Sequence, residues 1–144
     1  MQTFLPYADF IKTFQCLDYR RLGKQRLEAR QIWNIITKNT DKQGWKNHPA
    51  ILMWQGYENC LALYHNLCIK EWIKRRYNNT MEFLPIVAKI KYPWWLGLEQ
   101  FHSSHRQTLL FKNYEWYNQF KWEEKPIYEY WWPTKQGILT KTNV

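Results

Sequence analysis

Arg20, Arg21, Lys24 and Glu28 stand close together in the stretch DYRRLGKQRLEARQIW (18–33). On a helix of about 3.6 residues per turn the four share an arc of about 100°. Three cations on two turns match successive phosphates of one nucleic-acid strand, and a carboxylate among them offers proton transfer. Arg26 lies on the flank of that face and is a further candidate phosphate contact. The same spacing also suits a solvated helix face on which Glu28 offsets Lys24 at i, i+4.

Other residue types extend the chemistry. Gln2 is too large a neighbour for methionine removal, so Met1 is expected to keep its α-amine. Such amines titrate near ~7.7–8.0, which leaves a fraction neutral and nucleophilic towards a sugar aldehyde carbon at pH 7. His48, in WKNHP (45–49), precedes a proline that opens a helix and could hold an anion or orient a carboxylate. Glu58 is one of the few acids in an apolar helical run and could act as a general acid or base. In FHSSHR (101–106), His102 and His105 share a helix face beside Arg106. Zinc would need more ligands than this pair supplies, so no metal or other cofactor is expected, and a phosphate or sugar contact is the better reading. Trp45, Trp94 and Trp95 offer flat faces for unstacked bases, although packing in a core is the better reading for any one of them.

The bulk properties favour a polyanionic partner. Cations outnumber anions 21 to 12, for a net charge of +9, which makes nucleic acid the first candidate and a membrane surface the second. Aromatic residues make up 19% of the chain, more than a core of this size can hide. Cys16, Cys60 and Cys68 are odd in number and widely spaced, as expected of reduced thiols. With no apolar run of membrane length and no signal pattern, the chain is expected to be soluble and cytoplasmic, inside the host cell if viral.

These side chains need helices to position them. Apolar periodicity predicts a short helix over 8–17 capped by Asp9, and a long one over 19–38 that Asp18 can cap. The inward stripe of the long helix is Leu22, Ala29, Ile32, Trp33 and Ile36. A polar loop follows, and then a helix from Pro49 to about Tyr77 in which Gly56 permits a bend. Residues 78–98 read as an irregular connection, partly helical between Phe83 and Lys89. Helices are expected again over 97–112 and, capped by Asn113, over 114–120. The fold class is all-α: a compact single domain over 1–144, with three main helices, short accessory ones and an extended aromatic C-terminal segment wrapping them.

The segments MQTFLPY (1–7), LDYRRLGKQRLEA (17–29), GWKNHPAILMWQGYE (44–58), PWWLG (93–97) and FHSSHR (101–106) together resemble the pyrimidine-dimer DNA glycosylases of the phage endonuclease V type, most nearly the short relatives grouped with them. The resemblance implies a compact helical protein whose N-terminal amine attacks the sugar C1′ of a damaged pyrimidine nucleotide, displaces the base and forms an imine. Strand cleavage by β-elimination follows, on kinked double-stranded DNA with a base flipped out. In the family pattern Tyr-Arg precedes the catalytic Glu. Here Tyr19 and Arg20 match and Arg21 takes that place, which leaves Glu28, on the same face, as the first substitute and Glu58 as the second. The reading is a monomeric base-excision glycosylase with Met1 as nucleophile, Glu28 or Glu58 as acid/base and His48 in the site. Arg20, Arg21, Lys24, Arg26, His102, His105, Arg106, Trp45, Trp94 and Trp95 would face DNA. The alternatives are a non-catalytic DNA-binding module of the same fold, or an enzyme acting on free nucleotides or nucleosides.

Overall fold

The protein is described by a computed structural model over residues 1–142. Helix α1 (Phe10–Cys16) starts where Asp9 accepts a hydrogen bond from the Lys12 amide at 3.0 Å. Helix α2 (Tyr19–Ile36) buries Leu22, Ala29 and Ile32 completely, positions that recur on one face at helical pitch. Asp18 occupies the N-cap position of α2 without making a side-chain cap bond. Its carboxylate instead accepts from the Tyr117 hydroxyl and pairs with Arg21 at 3.3 Å.

The expected helix from Pro49 to Tyr77 is interrupted. Helix α3 (Pro49–Leu52) is one turn, opened by Pro49 and capped by His48 Nδ1, which accepts from the Ala50 amide at 3.0 Å. Gly56, with φ of +84°, turns the chain before α4 (Glu58–Lys74) begins. A left-handed residue cannot continue a right-handed helix, so the glycine ends the run where sequence reading allowed a bend. The break lets Trp54 drop into the core at 0% exposure.

Helix α2 packs along α4, which also covers α1. At the α2–α4 crossing Gly23 faces the Trp72 ring, and the Cys68 thiol donates to the Leu22 carbonyl at 3.3 Å. The expected helical turn over 83–89 does not form. That segment is tied instead by Asn66, whose amide group exchanges two hydrogen bonds with the Leu84 backbone at 2.8 and 2.9 Å.

Helix α5 (Glu99–Lys112) is followed by α6 (Tyr114–Tyr117), which Asn113 caps, and by a 3-10 turn over Asn118–Phe120. The C-terminal segment is more than an extended wrap. It ends in an antiparallel hairpin, β1 (Tyr130–Pro133) with β2 (Leu139–Thr142), in the register Tyr130↔Thr142 to Pro133↔Leu139. Tyr130 and Trp132 point inward from β1 and Trp131 is half-exposed, the alternation of a strand with one buried face. The architecture is mostly helical with this small sheet added, and Cys16, Cys60 and Cys68 are buried free thiols.

Candidate functional site

The site is built around the first residues of the chain, which run through the middle of the molecule. Thr3 Oγ1 accepts from Trp54 Nε1 at 2.9 Å. The Phe4 amide donates to Gln25 Oε1 at 2.9 Å, and the Tyr64 hydroxyl lies 2.8 Å from the Phe4 carbonyl and 2.7 Å from the same Gln25 oxygen. The Leu5 amide donates to His105 Nδ1 at 2.8 Å, and the Leu5 carbonyl meets His102 Nδ1 at 2.7 Å. The Pro6 carbonyl accepts from Arg106 at 2.8 Å. A start of chain is ordinarily mobile unless tied down, and this one is tied at successive residues.

The clamp places Met1 at the wall of a cavity of about 560 Å³. Arg20, Arg21, Lys24 and Lys112 supply positive charge around it, and Glu28 and Asp18 are its carboxylates. Tyr128 and Tyr130 add aromatic surface. Helix α2 contributes through the face that helical spacing predicts, and Lys112 arrives from the last turn of α5. Burial and the neighbouring charges of Arg21 and Lys24 push the Lys112 pKa down, while Glu28 opposes them.

Glu28 is held by its neighbour one turn back: Gln25 Nε2 donates to its carboxylate at 3.0 Å. Burial raises the Glu28 pKa, against the opposing charges of the Met1 amine and Lys24. The amine is also felt by His48, whose pKa is lowered by burial first and then by that charge. Glu28 and His48 are therefore both within electrostatic reach of the amine. The His48 ring itself is held edge-on by Trp45 and Trp132.

The other expected residues, Arg21 apart, lie away from the cavity. Arg26 is stacked over the Trp72 ring at 4.1 Å and donates to Asn79 at 2.9 Å, so it is committed to the packing of α2 on α4. Arg21, at the position where the family pattern has Glu, lines the cavity while paired with Asp18. Glu58 opens α4, where its charge suits the helix N-terminus, and does not line the cavity. His102 and His105 are buried, at 3% and 0% exposure. Arg106 bridges Glu99 and Glu124, so these three residues of FHSSHR hold the N-terminal segment and are taken up inside the protein. Trp95 is a core residue whose Nε1 donates to the Met53 carbonyl at 3.0 Å, and Trp45 and Trp94 are on the surface.

Sequence reasoning missed Gln25, Lys112, Tyr128 and Tyr130. Gln25 carried a readable signal: it is a polar residue in the inward arc of α2, between Leu22 and Ala29, and such a residue must find partners. Lys112 and the two tyrosines had none, because only the tertiary fold brings them to α2.

The family model for pyrimidine dimer DNA glycosylases matches residues 1–85. That span carries Met1, Arg20, Arg21, Lys24, Gln25, Glu28 and His48, and stops short of the α5 clamp. No curated protein and no solved structure matches the chain. The matched residues are more than half of the chain and hold the amine, the carboxylate and the basic face of α2, so the chain belongs to the pyrimidine dimer DNA glycosylase family.

Proposed function

We propose that the protein is a DNA N-glycosylase with abasic-site lyase activity, acting on damaged or modified pyrimidines in double-stranded DNA. The observation that carries the reading is that Met1 and Glu28 line one cavity, within electrostatic reach of each other, ringed by Arg20, Arg21, Lys24 and Lys112. The cations hold phosphates on either side of the target nucleotide, and the tyrosine faces line the space open to a displaced base.

The unprotonated amine attacks C1′ and the C1′–N bond to the base breaks, the base leaving with its bonding pair. Glu28 takes the proton the amine sheds and returns it to the sugar ring oxygen as the ring opens, which leaves an imine between Met1 and C1′. Loss of a C2′ proton then expels the 3′ phosphate by β-elimination, and water releases the amine. A carboxylate whose proton affinity is raised by burial suits this exchange. The reading takes Met1 to carry a free α-amine.

Borohydride reduction of the protein mixed with duplexes bearing an ultraviolet photoproduct or an abasic site tests it. The expected product is a covalent adduct at Met1, located by peptide mass spectrometry. Glu28→Gln should slow adduct formation by about 10²–10⁴-fold. No adduct on either duplex, from protein with intact Met1, refutes the amine mechanism. The presence of Arg21 at the family's Glu position favours a second reading, a DNA-binding module without chemistry. That reading predicts salt-dependent duplex binding with no trapped adduct.

A further inference from the structure

Each polar backbone group of Phe4, Leu5 and Pro6 is bonded to a side chain from α2, α4 or α5. In a sheet a neighbouring strand would take these groups. Here the Leu5 peptide is gripped by two imidazoles from successive turns of α5, one on its N–H and one on its carbonyl. Both rings are buried, and they sit in opposite tautomers. His102 accepts from the Gly97 amide at Nε2, at 2.9 Å, so its proton is on Nδ1 and is donated to Leu5. His105 accepts at Nδ1, so its proton is on Nε2, among the rings of Phe4, Phe101 and Tyr130.

We propose that His102 and His105 are positioning residues for the Met1 amine, acting through the Leu5 peptide and making no contact with DNA. The inference rests on the reading of Met1 as nucleophile. Leu5 is the anchor behind the ties at Thr3 and Phe4, so loosening its peptide slackens the segment that sets the amine against Glu28. Reaction rates fall steeply when reacting atoms are misplaced by an ångström.

The test uses the full-length protein, a labelled duplex with one abasic site, and borohydride under single-turnover conditions. His105→Leu removes the acceptor for the Leu5 amide, and His102→Gln removes the donor to its carbonyl. Both should form the adduct about tenfold or more slowly while the duplex Kd stays within about twofold of wild type. His105→Asn, which keeps an acceptor near the Nδ1 position, should recover most of the rate. A general loss of structure would lower binding and rate together and would not be rescued in this way.

His105→Leu with a native melting profile and a wild-type trapping rate overturns the proposal. Should that variant fail to fold, a wild-type rate in His102→Gln overturns it equally. Where the wild-type protein traps nothing, the nucleophile reading falls. The clamp is then read from amide 15N relaxation at Gln2 and Thr3: mobility raised in His102→Gln supports it, and unchanged mobility overturns it.

Discussion

Burial disfavours the charged form of Glu28. Burial raises its folded pKa above the ordinary value, so the stability it contributes is present at low pH and lost as pH rises through that folded value. Glu28→Gln should therefore be at least as thermostable as wild type at pH 7, by calorimetry, while losing adduct formation. Activity and stability are set against each other at this residue. The cations separate in the same way. Alanine at Arg20, Lys24 or Lys112 should weaken duplex binding and reduce the slope of log K against log salt by about 0.9 each. Arg26→Ala should leave that slope unchanged and lower Tm instead, because its guanidinium lies over Trp72. Helical spacing made Arg20, Lys24 and Glu28 legible as a unit. It could not show that His102, His105 and Arg106 turn inward, since i, i+3 spacing is the same whether a helix face meets solvent or the molecule's own first residues. What decided their role was Leu5, 100 residues away in the sequence.

Helix α2 reaches its depth against α4 through Gly23. A Cβ there would come within 3.1 Å of the Trp72 ring. Ordinarily alanine improves a helix interior by about 1 kcal/mol over glycine. Trp72 cannot give way easily, being held by Arg26 above it, Tyr77 beside it at 4.4 Å and the Asn78 carbonyl on its Nε1 at 2.8 Å. Gly23→Ala should therefore lower Tm, and a variant that also carries Trp72→Leu should recover the helix benefit of the alanine. The three long helices were readable because their apolar positions repeat with the helical period. The α3–α4 break was not, because the apolar pattern continues through Trp54 while the backbone turns at Gly56. The hairpin escaped for a different reason. Strands as short as YWWP and LTKT carry little periodicity, and β1 is fixed by the Tyr130 and Trp132 rings, by Ser104 of α5 accepting from the Trp131 amide, and by Thr108 of α5 donating to the Glu129 carbonyl just before the strand.

Across the molecule all four histidines have pKa values lowered chiefly by burial. In the unfolded chain they take up protons near the ordinary value of about 6.5, and in the folded one they resist. Unfolding thus binds protons as pH falls below about 6.5, and stability is lost progressively from there downwards. Tm measured from pH 7.5 to pH 5 should fall, and His105→Asn should flatten the fall. The net charge of +9 adds self-repulsion that grows on the same side. The clamp on Leu5 also has a consequence for the order of assembly. The rings that hold it lie 97 and 100 residues further along the chain. The bonds from Trp54, Gln25 and Tyr64 to Thr3 and Phe4 need nothing beyond α4, whereas the Leu5 clamp closes only when α5 has docked. Contacts on these first residues therefore report whether α5 is in place, and amide exchange at Leu5 reads it directly.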